Sequence, residues 1–182
     1  LTTGLIIKKS EGGFYDRFRD RIMFPIRDRR GRVIAFGGRI IANGEPKYLN
    51  SPETPIFHKG SELYGLYEAC QAVRKLSRLI VVEGYMDVIA LHQAGFEYAV
   101  APLGTALTEN HIKLLWKITK EPIMCMDGDE AGRRASKKFA EQYIALLEPG
   151  YTIKFAFVPK GYDPDEYVKE NGTAAFEDIL NN

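Results

Sequence analysis

From residue 79 onward the chain repeats one pattern: a short unbroken apolar run, a stretch of helical periodicity, then another apolar run. The runs are Leu79-Ile80-Val81-Val82, residues 98–101, Pro122-Ile123-Met124-Cys125-Met126 and residues 152–158. Between them lie helical patterns at about 85–93, from Thr108 with Ile112, Leu115 and Trp116 on one face, and at 130–147 closed by Pro149-Gly150. Strands apolar at every position are buried on both faces, and strands that alternate with helices pair in parallel. The expected fold is therefore α/β, a parallel sheet flanked by helices.

Ahead of that pattern the sequence reads differently. Ile22-Met23-Phe24-Pro25-Ile26 and Val33-Ile34-Ala35-Phe36 form two strands around the turn Asp28-Arg29-Arg30-Gly31, which is antiparallel material. Residues 43–60, with Pro46, Pro52 and Pro55, read as a long loop. Ser61 reads as the cap of a helix to about residue 76, with Leu63, Leu66, Tyr67, Cys70 and Val73 on its apolar stripe. The expected organisation is a smaller α+β module with an antiparallel sheet over 1–76, the parallel-sheet domain over 77–160, and an acidic loop with C-terminal helices over 161–182.

Composition matters here chiefly through the placement of charge. The 182 residues carry a formal net charge of only +1. Yet residues 1–60 hold 12 Lys and Arg against 6 Asp and Glu, and residues 61–182 hold 13 against 18. A basic module joined to an acidic one suits a protein that grips a polyanion on one side and needs cations on the other. No apolar run approaches the ~18 residues that cross a bilayer, so no membrane partner is expected. Cys70 and Cys125 stand without CxxC spacing, which argues against a zinc site or a disulfide framework and for a reducing, cytoplasmic setting. The start lacks an initiator Met and a signal-peptide pattern, as expected of a cut through a longer protein.

Acidic groups follow three of the four apolar runs. The first ends in Glu83-Gly84 with Asp87 four residues on, the third in Asp127-Gly128-Asp129, and the fourth is followed by Asp163-Pro164-Asp165. In parallel sheets functional groups collect at the carboxyl ends of strands. In extended chain, residues i and i+2 share a side at ~6.7 Å, so Asp127 with Asp129, and Asp163 with Asp165, could close on a common ion. Carboxylates ~5 Å apart repel by ~3 kcal/mol per pair at an effective dielectric of ~20. Such a set must take up protons or divalent cations. Oxygen-only donors select Mg²⁺ or Mn²⁺, and Mg²⁺ shared with substrate phosphate points to phosphoryl transfer. The bland reading of any one pair is a helix cap: Asp129 for the helix at 130, Asp163 or Asp165 for the next.

Glu83-Gly84-Tyr85-Met86-Asp87 together with Asp127-Gly128-Asp129-Glu130-Ala131-Gly132 resembles the Toprim domain of primases, topoisomerases and some nucleases and recombination proteins. Arg17-Phe18-Arg19, Arg21-Ile22-Met23-Phe24-Pro25-Ile26, Gly37-Gly38-Arg39, Lys47-Tyr48-Leu49-Asn50-Ser51-Pro52-Glu53-Thr54, Phe57-His58-Lys59-Gly60 and Leu63-Tyr64-Gly65 are similar to the bacterial replicative primases. The resemblance covers nearly the whole chain. It implies a primase core that makes short RNA primers on single-stranded DNA for replication, with Glu83, Asp127 and Asp129 catalytic and Glu83, Asp87, Asp127, Asp129, Asp163 and Asp165 as metal positions. Arg17, Arg19, Arg39, Lys47, Asn50 and Lys59 match the family's basic and polar positions facing the active site. The implied cofactors are two or more Mg²⁺ or Mn²⁺ ions, with zinc only in a domain outside this chain. The implied partners are single-stranded DNA template, ribonucleoside triphosphates, RNA primer and, through a region also outside the chain, a replicative helicase. Inhibition by guanosine tetraphosphate at the triphosphate site is implied as well.

The expected reaction is in-line attack of a 3′-hydroxyl on the α-phosphorus of a ribonucleotide, with Glu83 as ligand or general base. Arg27, Arg29, Arg30 and Arg32 read as a solvated turn. Tyr48 has better prospects of touching a nucleotide than Trp116, which reads as core. His58, His92 and His111 lack ligand spacing, and no GxxxxGK[ST] or GxGxxG loop is present. A Toprim nuclease or topoisomerase and a non-catalytic Toprim binding module are the rival readings. A topoisomerase needs an active-site tyrosine on a separate domain, a context nothing in these residues supplies, and the binding module predicts an eroded acidic set.

Overall fold

The four apolar runs pair as one all-parallel sheet, and the segment ahead of it is antiparallel, as the hydrophobic pattern requires. A computed structural model describes residues 2–76 and 78–181, the side chains of 73–76 and 131 excepted. In chain order, β1 (Ile6–Lys8) and β2 (Phe14–Asp16) form a hairpin. The strands β3 (Arg21–Arg27), β4 (Val33–Ile40) and β5 (Tyr48–Asn50) form an antiparallel sheet in that order. Then come α1 (Leu66–Leu76), β6 (Ile80–Val81), α2 (Tyr85–Gln93), β7 (Ala99–Val100), α3 (Glu109–Trp116), β8 (Ile123–Met126), α4 (Glu130–Tyr143), β9 (Lys154–Phe157) and α5 (Pro164–Asn181). The parallel strands run in the order β7-β6-β8-β9. Gly172, at φ 82 and ψ 172, divides α5 into two helical pieces.

Three local expectations are corrected. The helix expected from Ser61 starts at Leu66, and residues Lys59–Ser61 make a single 3-10 turn instead. Tyr64 spends its main-chain N–H and C=O on Ala101 at the end of β7, and Gly65 turns the chain at φ 76, so sheet pairing overrides helical periodicity there. Of the expected stripe, Leu63 and Leu66 are buried, whereas Val73 lies outside the described side chains. The loop at 43–60 contains β5, whose Tyr48, Leu49 and Asn50 pair with Arg39, Gly38 and Gly37 of β4. The helix expected to residue 147 ends at Tyr143 and tightens into a 3-10 turn at Ile144–Leu146.

Two apolar clusters hold the fold. The larger packs both faces of the parallel sheet, with Ile80, Val100, Cys125, Leu91, Ile112 and Phe176 essentially inaccessible. Each such side chain contributes ~1.5–3 kcal/mol by leaving water. The smaller joins Phe24, Ile26, Ala35 and Phe57 of the antiparallel module to Tyr85 from α2 and Leu103 after β7. The modules therefore share a core, and Tyr85 enters it from the same turn that follows Glu83. His111 and Trp116 are engaged in main-chain hydrogen bonds, and exposed His58 pairs with Glu53. Buried His111 donates from Nε2 toward the carbonyls of Lys59 and Glu62 (2.9 and 3.0 Å) and accepts the Thr108 N–H at Nδ1. Trp116 donates its indole N–H to the Thr152 carbonyl.

Candidate active site at the carboxyl edge of the parallel sheet

Each acidic residue owes its place to a strand exit followed by a helix start. After β6 the chain passes through Glu83 and extended Gly84 into α2, where Asp87 reaches back to accept the Gly84 N–H at 3.0 Å. After β8, Asp129 accepts the Gly132 N–H at 2.7 Å and caps α4. After β9, Asp163 accepts the Glu166 N–H at 2.7 Å at the start of α5. The capping roles that spacing allowed are thus real, and they fix the carboxylates rather than exclude them from chemistry. Glycine is required between the first Asp pair: a Cβ on Gly128 would lie 2.1 Å from the Pro159 carbonyl oxygen, where the exits of β8 and β9 cross.

The Asp163 and Asp165 pair is not the extended i, i+2 pair expected. Pro164 opens a helix, a position that suits its fixed φ and missing N–H, so Asp163 caps and Asp165 sits inside the first turn. The main-chain N–H of Asp165 points to the Asp87 carboxyl, and its own carboxylate pairs with Lys169 at 2.5 Å.

The remaining carboxyls act on one another as a single charged unit. Burial, then the charge of Asp163, then that of Asp127, push Asp87 up to about 7 against the opposing pull of the Gly84 and Asp165 N–H groups. Asp127 is pushed up to about 6, first by burial and then by Glu83, Asp163, Asp129 and Glu166. Glu83 is raised by burial and by Asp129. Three strand exits therefore converge. Glu166 also belongs to the set although the sequence did not single it out; its position one residue past the second Asp pair was the available signal.

One oxygen of Asp127, Oδ1, is buried without a hydrogen-bond partner. An anionic oxygen in that state is poised for a cation, and all donors nearby are hard oxygens, which fits Mg²⁺ or Mn²⁺. Among the described residues no group of three or more His, Cys, Asp or Glu side chains is placed to hold a metal ion by itself. An edge of this kind suits Mg²⁺, which takes one or two carboxylates and completes its shell with water and phosphate.

The basic candidates divide by what they hold. Arg17 donates from Nε and Nη2 to the main-chain carbonyl of Asn50 at 3.1 and 2.9 Å. Asn50 in turn donates from Nδ2 to the Leu103 carbonyl and accepts the Tyr85 hydroxyl. Arg39 and Lys47 both lean over the Tyr48 ring, 5.9 Å from its centroid, and that ring is 6.2 Å from Tyr85. Asn50 thus touches Tyr85, in the turn between Glu83 and Asp87, while Arg39 and Lys47 lie over the Tyr48 ring beside it. Arg19 instead covers Tyr15 on the hairpin, and Lys59 gives its main-chain N–H to Glu53. Arg21, absent from the expected set, binds the carbonyls of Gly38, Pro46 and Lys47 and so holds the loop before β5. Arg32 pairs with Asp28 in the solvated turn.

A cleft of about 590 Å³ opens beside Glu83 between α4 and the sheet, walled mainly by Val81, Met124, Met126, Phe139 and Phe155. None of the other edge carboxyls lines it, so this largely apolar cleft meets the charged edge at Glu83 alone.

Residues 1–70 match the family model for the DNA primase catalytic core, N-terminal domain, and residues 80–168 match the Toprim-like model. The DNA primase of Pseudomonas putida is 55% identical over all 182 residues, which span 28% of that relative. A DNA primase domain from Pseudomonas aeruginosa has the same fold with a TM-score of 0.94 at 54% identity, covering 99% of this chain and 56% of that one. A DnaG primase catalytic domain bound to single-stranded DNA matches with a TM-score of 0.91 at 53% identity, over 99% of this chain and 58% of that one.

Proposed function

The chain belongs to the bacterial DNA primase family, spanning the N-terminal domain of its catalytic core and a Toprim-like domain, and from that premise we propose that it carries the polymerising centre of a primase. In this reading it joins ribonucleotides into short RNA primers on a single-stranded DNA template. The observation that carries it is the convergence of Glu83, Asp87, Asp127, Asp129 and Asp163 from three strand exits, with one Asp127 oxygen buried and unpartnered.

Glu83, Asp127 and Asp129 are the side chains that would hold two Mg²⁺ or Mn²⁺ ions, with Asp87 and Asp163 behind them and Asp165 restrained by Lys169. Ions bound at such an edge neutralise the triphosphate and stabilise the attacking and leaving oxygens of in-line displacement. The protein's own contribution is placement. Arg39 and Lys47, held over Tyr48, face phosphates of template or nucleotide with charge and donors. The structural relative is bound to single-stranded DNA, which supports that ligand for this chain, and the excess of positive charge in the first module makes it the face we assign to the DNA.

The test is Asp127→Asn and Asp129→Asn in the full-length enzyme. Asn keeps the cap on α4 while removing the charge, so folding and primer synthesis separate. Loss of metal-dependent primer synthesis by ~10²-fold or more, with thermal unfolding not lowered, is the expected result. Undiminished synthesis by either variant rejects the assignment.

A further inference from the structure

We propose that Tyr85 is a positioning residue whose hydroxyl, held by the Asn50 amide, rivets the first turn of α2 to the antiparallel module and sets the acidic edge against the cationic side chains of Arg39 and Lys47. The inference rests on the primase reading for its kinetic consequences and on geometry for the rivet itself.

Tyr85 lies two residues after Glu83 and two before Asp87, yet its ring is buried in the other module. It stacks on Phe24 at 5.4 Å and 15°, and meets Tyr64 edge-on at 4.7 Å. On β4 the chain has Gly37 where the ring lies; a Cβ there would come within 2.9 Å of it. The hydroxyl donates to Oδ1 of Asn50. The amide nitrogen of Asn50 goes to the Leu103 carbonyl at 2.9 Å, and its main-chain carbonyl takes both donors from Arg17. Both ends of the Asn50 side chain are therefore engaged within the protein. A residue that family likeness places facing the active site acts here through Tyr85. The ring of Tyr48, which carries Arg39 and Lys47, completes the path from cations to carboxylates.

Removing only the hydroxyl leaves the aromatic stack and releases the register between the two charged faces. Each face would still bind its own ligand, but the phosphates and the acidic edge would no longer be held in one geometry, where a displacement of ~1 Å can cost ~10²-fold in rate. In the full-length enzyme, Tyr85→Phe is expected to lower kcat for primer synthesis about tenfold. The KM for ribonucleoside triphosphate and the affinity for single-stranded DNA should stay within about twofold, since neither face loses a ligand contact. Asn50→Ala combined with Tyr85→Phe should cost no more than the worse single change, because both break one link. Hydrogen exchange at the amides of residues 84–87 should quicken in Tyr85→Phe, a readout independent of activity. Unchanged kcat, additive losses, or a rise in KM at constant kcat would each overturn the proposal, the last by making Tyr85 or Asn50 a nucleotide contact. An unsubstituted enzyme that makes no primer would sink the primase reading instead, and the exchange measurement would still decide the rivet: faster exchange upholds it, unchanged exchange removes it.

Discussion

Asp87 and Asp127 sit at about 7 and about 6, above the ordinary 3.8 of an aspartate in the unfolded chain, because burial and their neighbours disfavour the charge. The sign of the consequence follows. Between pH 4 and 7 the folded state holds protons that the unfolded state has released, so these groups lower stability as pH rises through that window. For Asp87 alone a shift of this size corresponds to a few kcal/mol, roughly 1.4 per unit. Divalent ions oppose it, since they bind the ionised, folded form. Thermal unfolding in chelator-treated buffer should therefore show a Mg²⁺-induced rise in Tm that is large at pH 8 and small at pH 5. Equal rises at both pH values would mean that the ions bind elsewhere. The carboxylates were legible because each cluster lies within a few residues of the end of an apolar run. Their altered proton affinity was not, since it depends on α5 beginning at Pro164 and bringing Asp163 against Asp87. Tyr85 and Glu166 were missed for a related reason: their partners lie far along the chain, 35 positions away for Asn50.

Elements were legible wherever hydrophobic period alone decides them, as in β8 and α3 with its Thr108 cap. They were not where a single long-range pairing overrides local preference, as at Tyr64 or in the three-residue β5. The start of α4 shows how closely such packing constrains a helix. Gly132 occupies its first turn, where replacing glycine by alanine ordinarily stabilises a helix by ~1 kcal/mol. Here the added Cβ would lie 2.5 Å from the main-chain oxygen of Asp127. The helix must move away from the β8 exit, carrying the Asp129 cap with it. Gly132→Ala is accordingly expected to destabilise by ~1–3 kcal/mol in urea unfolding, and a stabilised variant would show that α4 does not press on the Asp127 backbone as described.

Across the whole molecule, the uneven charge recorded in the sequence becomes a spatial arrangement: a basic sheet and an acidic edge joined through a shared core at Tyr85 and Leu103. The charge asymmetry was readable because each module is contiguous in sequence, whereas the docking depends on a few side chains and was not. On the proposed reading this arrangement assigns DNA affinity to the first module. Binding of single-stranded DNA should weaken with salt, log Kobs falling by ~0.7 per log unit of salt for each phosphate neutralised. If Arg39 and Lys47 each neutralise one phosphate, the double replacement Arg39→Ala with Lys47→Ala should flatten that slope by ~1.4. Arg29→Ala with Arg30→Ala removes the same charge from an exposed turn, so it lowers the net charge equally while leaving the slope in place. Filter-binding or anisotropy titrations over a range of salt separate the two. Equal flattening by both pairs would mean that DNA responds to the module's overall charge and that the cations over Tyr48 do not mark its path.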